Sequence, residues 1–172
     1  YVQVLEEEGW TEMQMFYWHK PTINAMGTQQ YVFSMEQILL AFKPGKHAVE
    51  WHTSANPLLR HNVLFMDGVS SSEKIKGNDG KILNAHQKPV DLCRFFVLNH
   101  LKPGDWVLVI GFGTGSDVIG ANLAGANVTA VEKDRRQFSH LRSRLLKYKE
   151  EFEKDGKEAF PVSYYDKLCM SK

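Results

Sequence analysis

The sequence predicts an α/β fold, half of a doubly wound parallel sheet, on three observations. A short apolar run, Trp106-Val-Leu-Val-Ile110, passes directly into a glycine loop, Gly111-Phe-Gly-Thr-Gly-Ser116. A helical stretch then leads to a second short apolar run, Val128-Thr-Ala-Val131. That run ends on an acid, Glu132. Strand, glycine loop, helix, strand and acid in this order describe a βαβ unit.

Each element has its own local reason. Residues 1–9 suit the last turns of a helix ending at Gly9, a helix already under way at Tyr1, so a natural N-terminus upstream is expected. Met13-Gln-Met-Phe-Tyr-Trp18 suits an aromatic strand, closed by His19-Lys-Pro21. Residues 22–30 are small and polar and read as a loop. Met35 to Phe42 is expected to be helix at first and strand at its end, with Lys43-Pro-Gly45 as the turn beyond it. Ser70 to Asn84 is rich in Ser, Lys, Gly and Asp without apolar periodicity and reads as a mobile surface loop.

The second half is more regular. Leu92, Phe95, Phe96 and Leu98 fall at helical spacings between Pro89 and Leu101, and Pro103-Gly104 turns the chain. Trp106 to Ile110 lacks the alternation of a half-exposed strand, so a strand buried on both faces is expected. Asp117 to Leu123 is helical and stops at Gly125. From about Asp134 to Glu153 an amphipathic helix places Phe138, Leu141, Leu145 and Phe152 on one face.

Bulk properties bound the function. At 172 residues, 43% hydrophobic and 24% charged, the chain reads as a single soluble domain or a large piece of one. With 21 Lys+Arg against 20 Asp+Glu, a strongly basic nucleic-acid binder is excluded, and any nucleic-acid contact must come from a local patch or from outside this chain. Lys43, Lys46, Arg60, His61, Lys74 and Lys76 could touch phosphate, although scattered surface cations more often meet water. Cys93 and Cys169 are far apart and read as unpaired thiols. His47, His52 and His61 lack the spacing of a zinc set, so no metal is expected. No apolar run is long enough for a membrane span and no signal peptide opens the chain, so an intracellular location is expected.

Gly111, Gly113 and Gly115 permit a tight turn and close approach of backbone to a ligand, and the helix that follows offers N–H groups. A carboxylate at the end of the next strand, Glu132, can accept both hydroxyls of a ribose. Loop and acid together point to an adenosine-type ligand; glycines serving only a turn are the plainer alternative. A nicotinamide fingerprint would place glycine at position 116, where this chain has Ser116.

Upstream of the loop lies Asn84-Ala-His-Gln-Lys-Pro89, followed by a helix, Pro103-Gly-Asp105, the strand, Gly-Phe-Gly-Thr-Gly and Val-Glu132. This order resembles the amino-group (adenine or cytosine) DNA methyltransferases of the beta arrangement, in which the catalytic motif precedes the cofactor motif. The resemblance is strongest over residues 84–145. Phe16-Tyr-Trp-His-Lys-Pro21 and Val32 to Lys43 are similar to that family's "W-x-K" strand and "E-x-I-L" segment.

The resemblance implies a Rossmann-like S-adenosylmethionine-dependent methyltransferase fold, incomplete in this chain, which would be the C-terminal, cofactor-binding portion. It implies S-adenosylmethionine as cofactor, held by His86, Lys88, Pro89, Gly111, Phe112, Gly113, Thr114, Gly115, Ser116 and Glu132, and DNA as partner. Two departures stand out. Val109-Ile110-Gly111 replaces the family's Asp-Pro-Phe, and no Pro-Pro occurs anywhere, so the Asp-Pro-Pro-Tyr loop that holds a flipped base is lacking. No catalytic residue is therefore expected in this chain. The acceptors would come from an upstream segment or a partner subunit, or the protein is a non-catalytic relative serving assembly or nucleic-acid binding. A nicotinamide or flavin dehydrogenase is the third reading, disfavoured by Ser116 and by His86-Gln-Lys-Pro89.

Overall fold

The structure, a computed structural model, describes residues 2–21, 34–43 and 61–154. The chain divides into two compact units, Tyr1–Glu73 with Leu98–Leu101, and Lys74–Val97 with Lys102–Lys172. The expected loop at residues 22–30, residues 44–45 of the expected turn, His47, His52, the Phe152 side chain and Cys169 lie outside the described residues.

In the first unit a short helix, α1 (Val2–Glu7), is closed by Gly9, whose φ of 81° only glycine adopts readily. Three strands follow, β1 (Glu12–His19), β2 (Met35–Phe42) and β3 (Val63–Phe65), in the sheet order β2-β1-β3. β1 runs antiparallel to β2 from Glu12↔Phe42 to His19↔Met35 and parallel to β3 through Tyr17↔Val63. Phe16 and Trp18 point to one side of β1 and are buried, and the Trp18 indole Nε1 donates to the Met66 carbonyl at 2.7 Å. β2 is strand throughout, not helix at its start. It pairs with β1 along its whole length from Met35 on, and such a partner is invisible to local helical spacing. Lys20 Nζ meets Glu36 Oε1 at 2.8 Å and lies 5.4 Å from the Trp18 ring. The tryptophan–lysine segment and the glutamate segment that resemble the same family are thus joined by an ion pair.

The second unit holds the βαβ element. After Lys74 the chain folds back on itself: Lys76 and Ile82 bridge, Gly77 N–H donates to Lys81 O at 2.9 Å, and Leu83 N–H donates to Ile75 O at 2.9 Å. The Gln87 side chain, buried, accepts the Ile75 N–H at 3.0 Å and anchors this turn to the stretch before α2 (Val90–His100). β4 (Trp106–Ile110) and β5 (Asn127–Val131) pair in parallel, from Trp106↔Asn127 to Ile110↔Val131, with α3 (Ser116–Leu123) as the crossover. α4 (Arg135–Lys154) follows.

The core of this unit gathers Phe112, Val118, Ile119, Leu141 and Leu145, with Val109, Val128 and Ala130 of the strands packed against it. Leu141 and Leu145 of α4 are buried as its periodicity predicts, whereas Phe138 is 39% exposed at the rim. One expectation fails. β4 is covered on one face only: Trp106, Leu108 and Ile110 are 67%, 61% and 77% exposed, and Val131 of β5 56%. An uninterrupted apolar run asks for cover on both faces, and among the described residues the core of this unit supplies it on one.

Candidate functional site

The glycine loop joins β4 to α3. Gly111, Gly113 and Gly115 all have positive φ, 71°, 55° and 84°. They are not equivalent. A Cβ on Gly115 would stand 2.2 Å from Leu141 Cδ1, and one on Gly113 would stand 2.7 Å from Asn84 Nδ2 and 3.1 Å from Gln137 Oε1. A Cβ on Gly111 would meet nothing within 4 Å. Gly113 and Gly115 therefore let the protein close on the loop, while Gly111 keeps an open side. That open side gives a ligand room to approach the main chain, and it is the feature of the loop that fits a bound group.

The loop is braced from three directions. Gly111 N–H donates to Val131 O at 2.7 Å, tying it to β5, and Gly115 N–H donates back to Phe112 O at 2.8 Å. Gly113 N–H donates to Glu132 Oε2 at 2.7 Å, while Glu132 Oε1 accepts the Asp134 N–H at 3.0 Å. These N–H donors, Asp134 first and then Gly113 and Lys133, hold the Glu132 carboxyl below its ordinary pKa. Each oxygen of an ionised carboxylate has a second lone pair to offer. Phe112 is buried against the loop's own side of the core, with the Phe138 ring 5.9 Å away.

The stretch from Asn84 to Pro89 comes to the same loop. Asn84 presents Nδ2 to Gly113 while its Oδ1 accepts the His86 N–H at 2.9 Å. Lys88, half-buried, stands close enough to Asp117 in the first turn of α3 to oppose the effect of burial on that carboxyl. Pro89 precedes the first residue of α2, where its missing N–H costs nothing. His86 is exposed and is tied to the Asn84 side chain through its main-chain N–H. The structure thus brings Lys88, Gly111 to Ser116 and Glu132 into one region, with His86 at its edge.

Four residues of this region were not singled out from sequence. Asp117 is pushed above the ordinary carboxylate pKa by burial, with Lys88 working the other way. Gln137 Oε1 is buried without a hydrogen-bond partner. Arg144 of α4 donates to the Thr114 carbonyl, and Asn84 touches Gly113. An acid in the first helical turn after a glycine loop, and a cation bordering the apolar face of α4, are the signals that were available. Cys93 offers no nucleophile: burial first, and the Asp117 charge second, push its thiol up to about 12. Among the described residues no group of three or more His, Cys, Asp or Glu side chains could hold a metal ion, and no helix is long and apolar enough to cross a membrane.

Comparison with known proteins gives the following. No protein-family model matches the chain. Over 80 residues it is 32% identical to the type II methyltransferase M.HinfI of Haemophilus influenzae, a match covering 46% of this chain and 22% of that protein. Among solved structures it is similar to M1.HpyAVI in its complex with SAM, with a TM-score of 0.66 at 23% identity over 83% of this chain and 66% of that one. It is also similar to the cytosine-N4-specific PvuII DNA methyltransferase, with a TM-score of 0.65 at 17% identity over 83% of this chain and 54% of that one. At such identities the structural likeness establishes the fold. The chain spans about a fifth of the curated relative's length and between half and two thirds of these structures.

Proposed function

We propose that this chain, which has the fold of the DNA methyltransferases it is similar to, binds S-adenosylmethionine for methyl transfer to an exocyclic amino group of adenine or cytosine in DNA. The observation that carries this reading is the Gly113–Glu132 hydrogen bond, which sets a ribose-accepting carboxylate beside a loop whose Gly111 side is open. Glu132 would take the ribose hydroxyls with its remaining lone pairs. The backbone of Gly111 to Ser116 would line the ligand, and Lys88 and Pro89 would close the site from the side of Asn84. Phe112 and Phe138 would exclude water along one edge. When bound, the cofactor would supply a methyl group on its sulfonium sulfur for the amino nitrogen, whose proton an acceptor would take up. That acceptor, and the aromatic face that holds a flipped base, would come from outside this chain, since no Pro-Pro-Tyr sequence occurs in it.

The test is calorimetry with S-adenosylhomocysteine. Each hydrogen bond from a ribose hydroxyl to a charged carboxylate contributes about 1.5–3 kcal/mol, so Glu132→Ala should weaken binding by about tenfold or more. Equal affinity of the mutant and the parent would remove Glu132 from the site. A second reading, a non-catalytic relative that keeps the fold, draws on Val109-Ile110-Gly111 and on the missing Pro-Pro. It is separated by asking whether an added segment or subunit carrying a Pro-Pro-Tyr motif brings methyl transfer to DNA.

A further inference from the structure

The Thr114–Gly115 peptide carries the loop into the first turn of α3. Gly115 (φ 84°) stands after it and carries no Cβ, so only the Thr114 side chain opposes a flip of its plane. It is nevertheless held at both ends. Its N–H, that of Gly115, donates to Phe112 O at 2.8 Å. Its carbonyl, that of Thr114, accepts from Arg144 Nη1, which also stands 3.4 Å from Ser116 Oγ. Arg144 reaches there from the border of α4's apolar face, three residues after Leu141, with its guanidinium carbon 6.0 Å from the Tyr148 ring. Burial lowers its pKa, yet a guanidinium remains charged at neutral pH. The bond to Thr114 is therefore charge-assisted, and it is made to a residue only 2% exposed.

We propose that Arg144 is a positioning residue for the cofactor loop: by fixing the plane of the Thr114–Gly115 peptide from behind, it sets the path of the main chain from Gly113 into the first turn of α3. The inference rests on the reading of this loop as the cofactor site. Arg144 does not touch the ligand. It restrains a peptide plane that has a side chain on its Thr114 side only.

Two readouts test this, and they fail separately. The first is amide hydrogen exchange of Gly115 and Ser116 in the ligand-free protein, taken as a ratio to the amides of Leu141 and Leu145. The second is the affinity for S-adenosylhomocysteine. Arg144→Met should raise the exchange ratio by about tenfold and weaken binding by about tenfold, the loss expected for one charge-assisted hydrogen bond. Arg144→Lys, which keeps one charged donor, should recover part of both. Leu145→Val trims the core on the same helix and should lower the melting temperature while leaving both readouts near the parent's.

A parent-like ratio in Arg144→Met overturns the proposal. So does a raised ratio with unchanged affinity, since the loop's path would then not matter to the ligand. A lysine variant no better than methionine, or a Leu145→Val protein that shifts both readouts equally, reduces Arg144 to a packing residue. If the parent itself does not bind S-adenosylhomocysteine, the cofactor reading fails and the exchange ratio alone decides whether Arg144 holds the loop.

Discussion

Asp117 carries its charge where water is scarce. Burial raises its pKa more than Lys88 lowers it, so the ionised form is held less favourably in the folded protein than in the unfolded chain. For a group whose folded pKa is raised, the associated stability is fully present below the unfolded pKa and is lost as pH rises through the folded one. At neutral pH, then, ionised Asp117 is a cost, and Asp117→Asn should melt at a higher temperature than the parent. The gap should close as the pH falls to about 4 or below, where the parent is protonated as well. A lower melting temperature for the mutant near neutrality would mean that Lys88 matters more than burial. The same substitution should bring down the Cys93 thiol, which Asp117's charge helps to raise to about 12. In a Cys169→Ser background, Cys93 should react with a thiol reagent faster after Asp117→Asn, a rate that absorbance follows directly. Glu132 was legible in the sequence because a strand-end acid needs only the strand to place it. Asp117 and Arg144 were not, because their roles depend on which side of a helix meets the loop, and no spacing along one chain segment says that.

The contact between α2 and α3 depends on the lack of a side chain. At Gly120 a Cβ would stand 2.4 Å from the Val90 carbonyl oxygen and 2.9 Å from the Arg94 nitrogen, both main-chain atoms that cannot swing aside. Alanine improves helix propensity by about 1 kcal/mol over glycine, but forcing packed elements apart costs typically about 1–3 kcal/mol. Gly120→Ala should therefore destabilise the protein, measured as a lower denaturant midpoint with an unchanged slope. A neutral or stabilised mutant would show that α2 shifts freely on α3. The elements that sequence placed well, α3, β5 and α4, carry their signal within themselves as a 3.6-residue or a short apolar pattern. β2 did not, because its extended form is stabilised by β1, more than a dozen residues away. β4 was placed correctly and its surroundings were not: a run of apolar residues records the demand for cover and says nothing about what meets it.

At the scale of the molecule, the proposed function sets the expectation for activity, because the sequence has no Pro-Pro pair from which that reading would build a base-holding loop. Fixing reacting groups in line can contribute about 7–11 kcal/mol to lowering a barrier, so without acceptors and an aromatic face the chain alone should show no measurable methyl transfer. Labelled methyl transfer to mixed-sequence single- and double-stranded DNA checks this, and turnover by residues 1–172 alone would show that the acceptors lie within them. The order of motifs made the fold readable. The division into two compact units was not readable, since residues 98–101 group with the first unit while their helix begins in the second.

The bare side of β4 makes Trp106 an optical probe. The chain has four tryptophans; Trp18 is buried at 2% exposure, whereas Trp106 is 67% exposed. An indole in water emits at longer wavelength than one in a dry setting, so Trp106 should contribute to the red edge of the fluorescence spectrum and be more open to quenching by iodide than Trp18. Subtracting the spectrum of Trp106→Phe isolates that contribution. Whatever next comes to lie over Leu108 and Ile110 should shift the remaining emission to the blue and protect it from the quencher, so the protein can report, without a label, when that side is no longer wet.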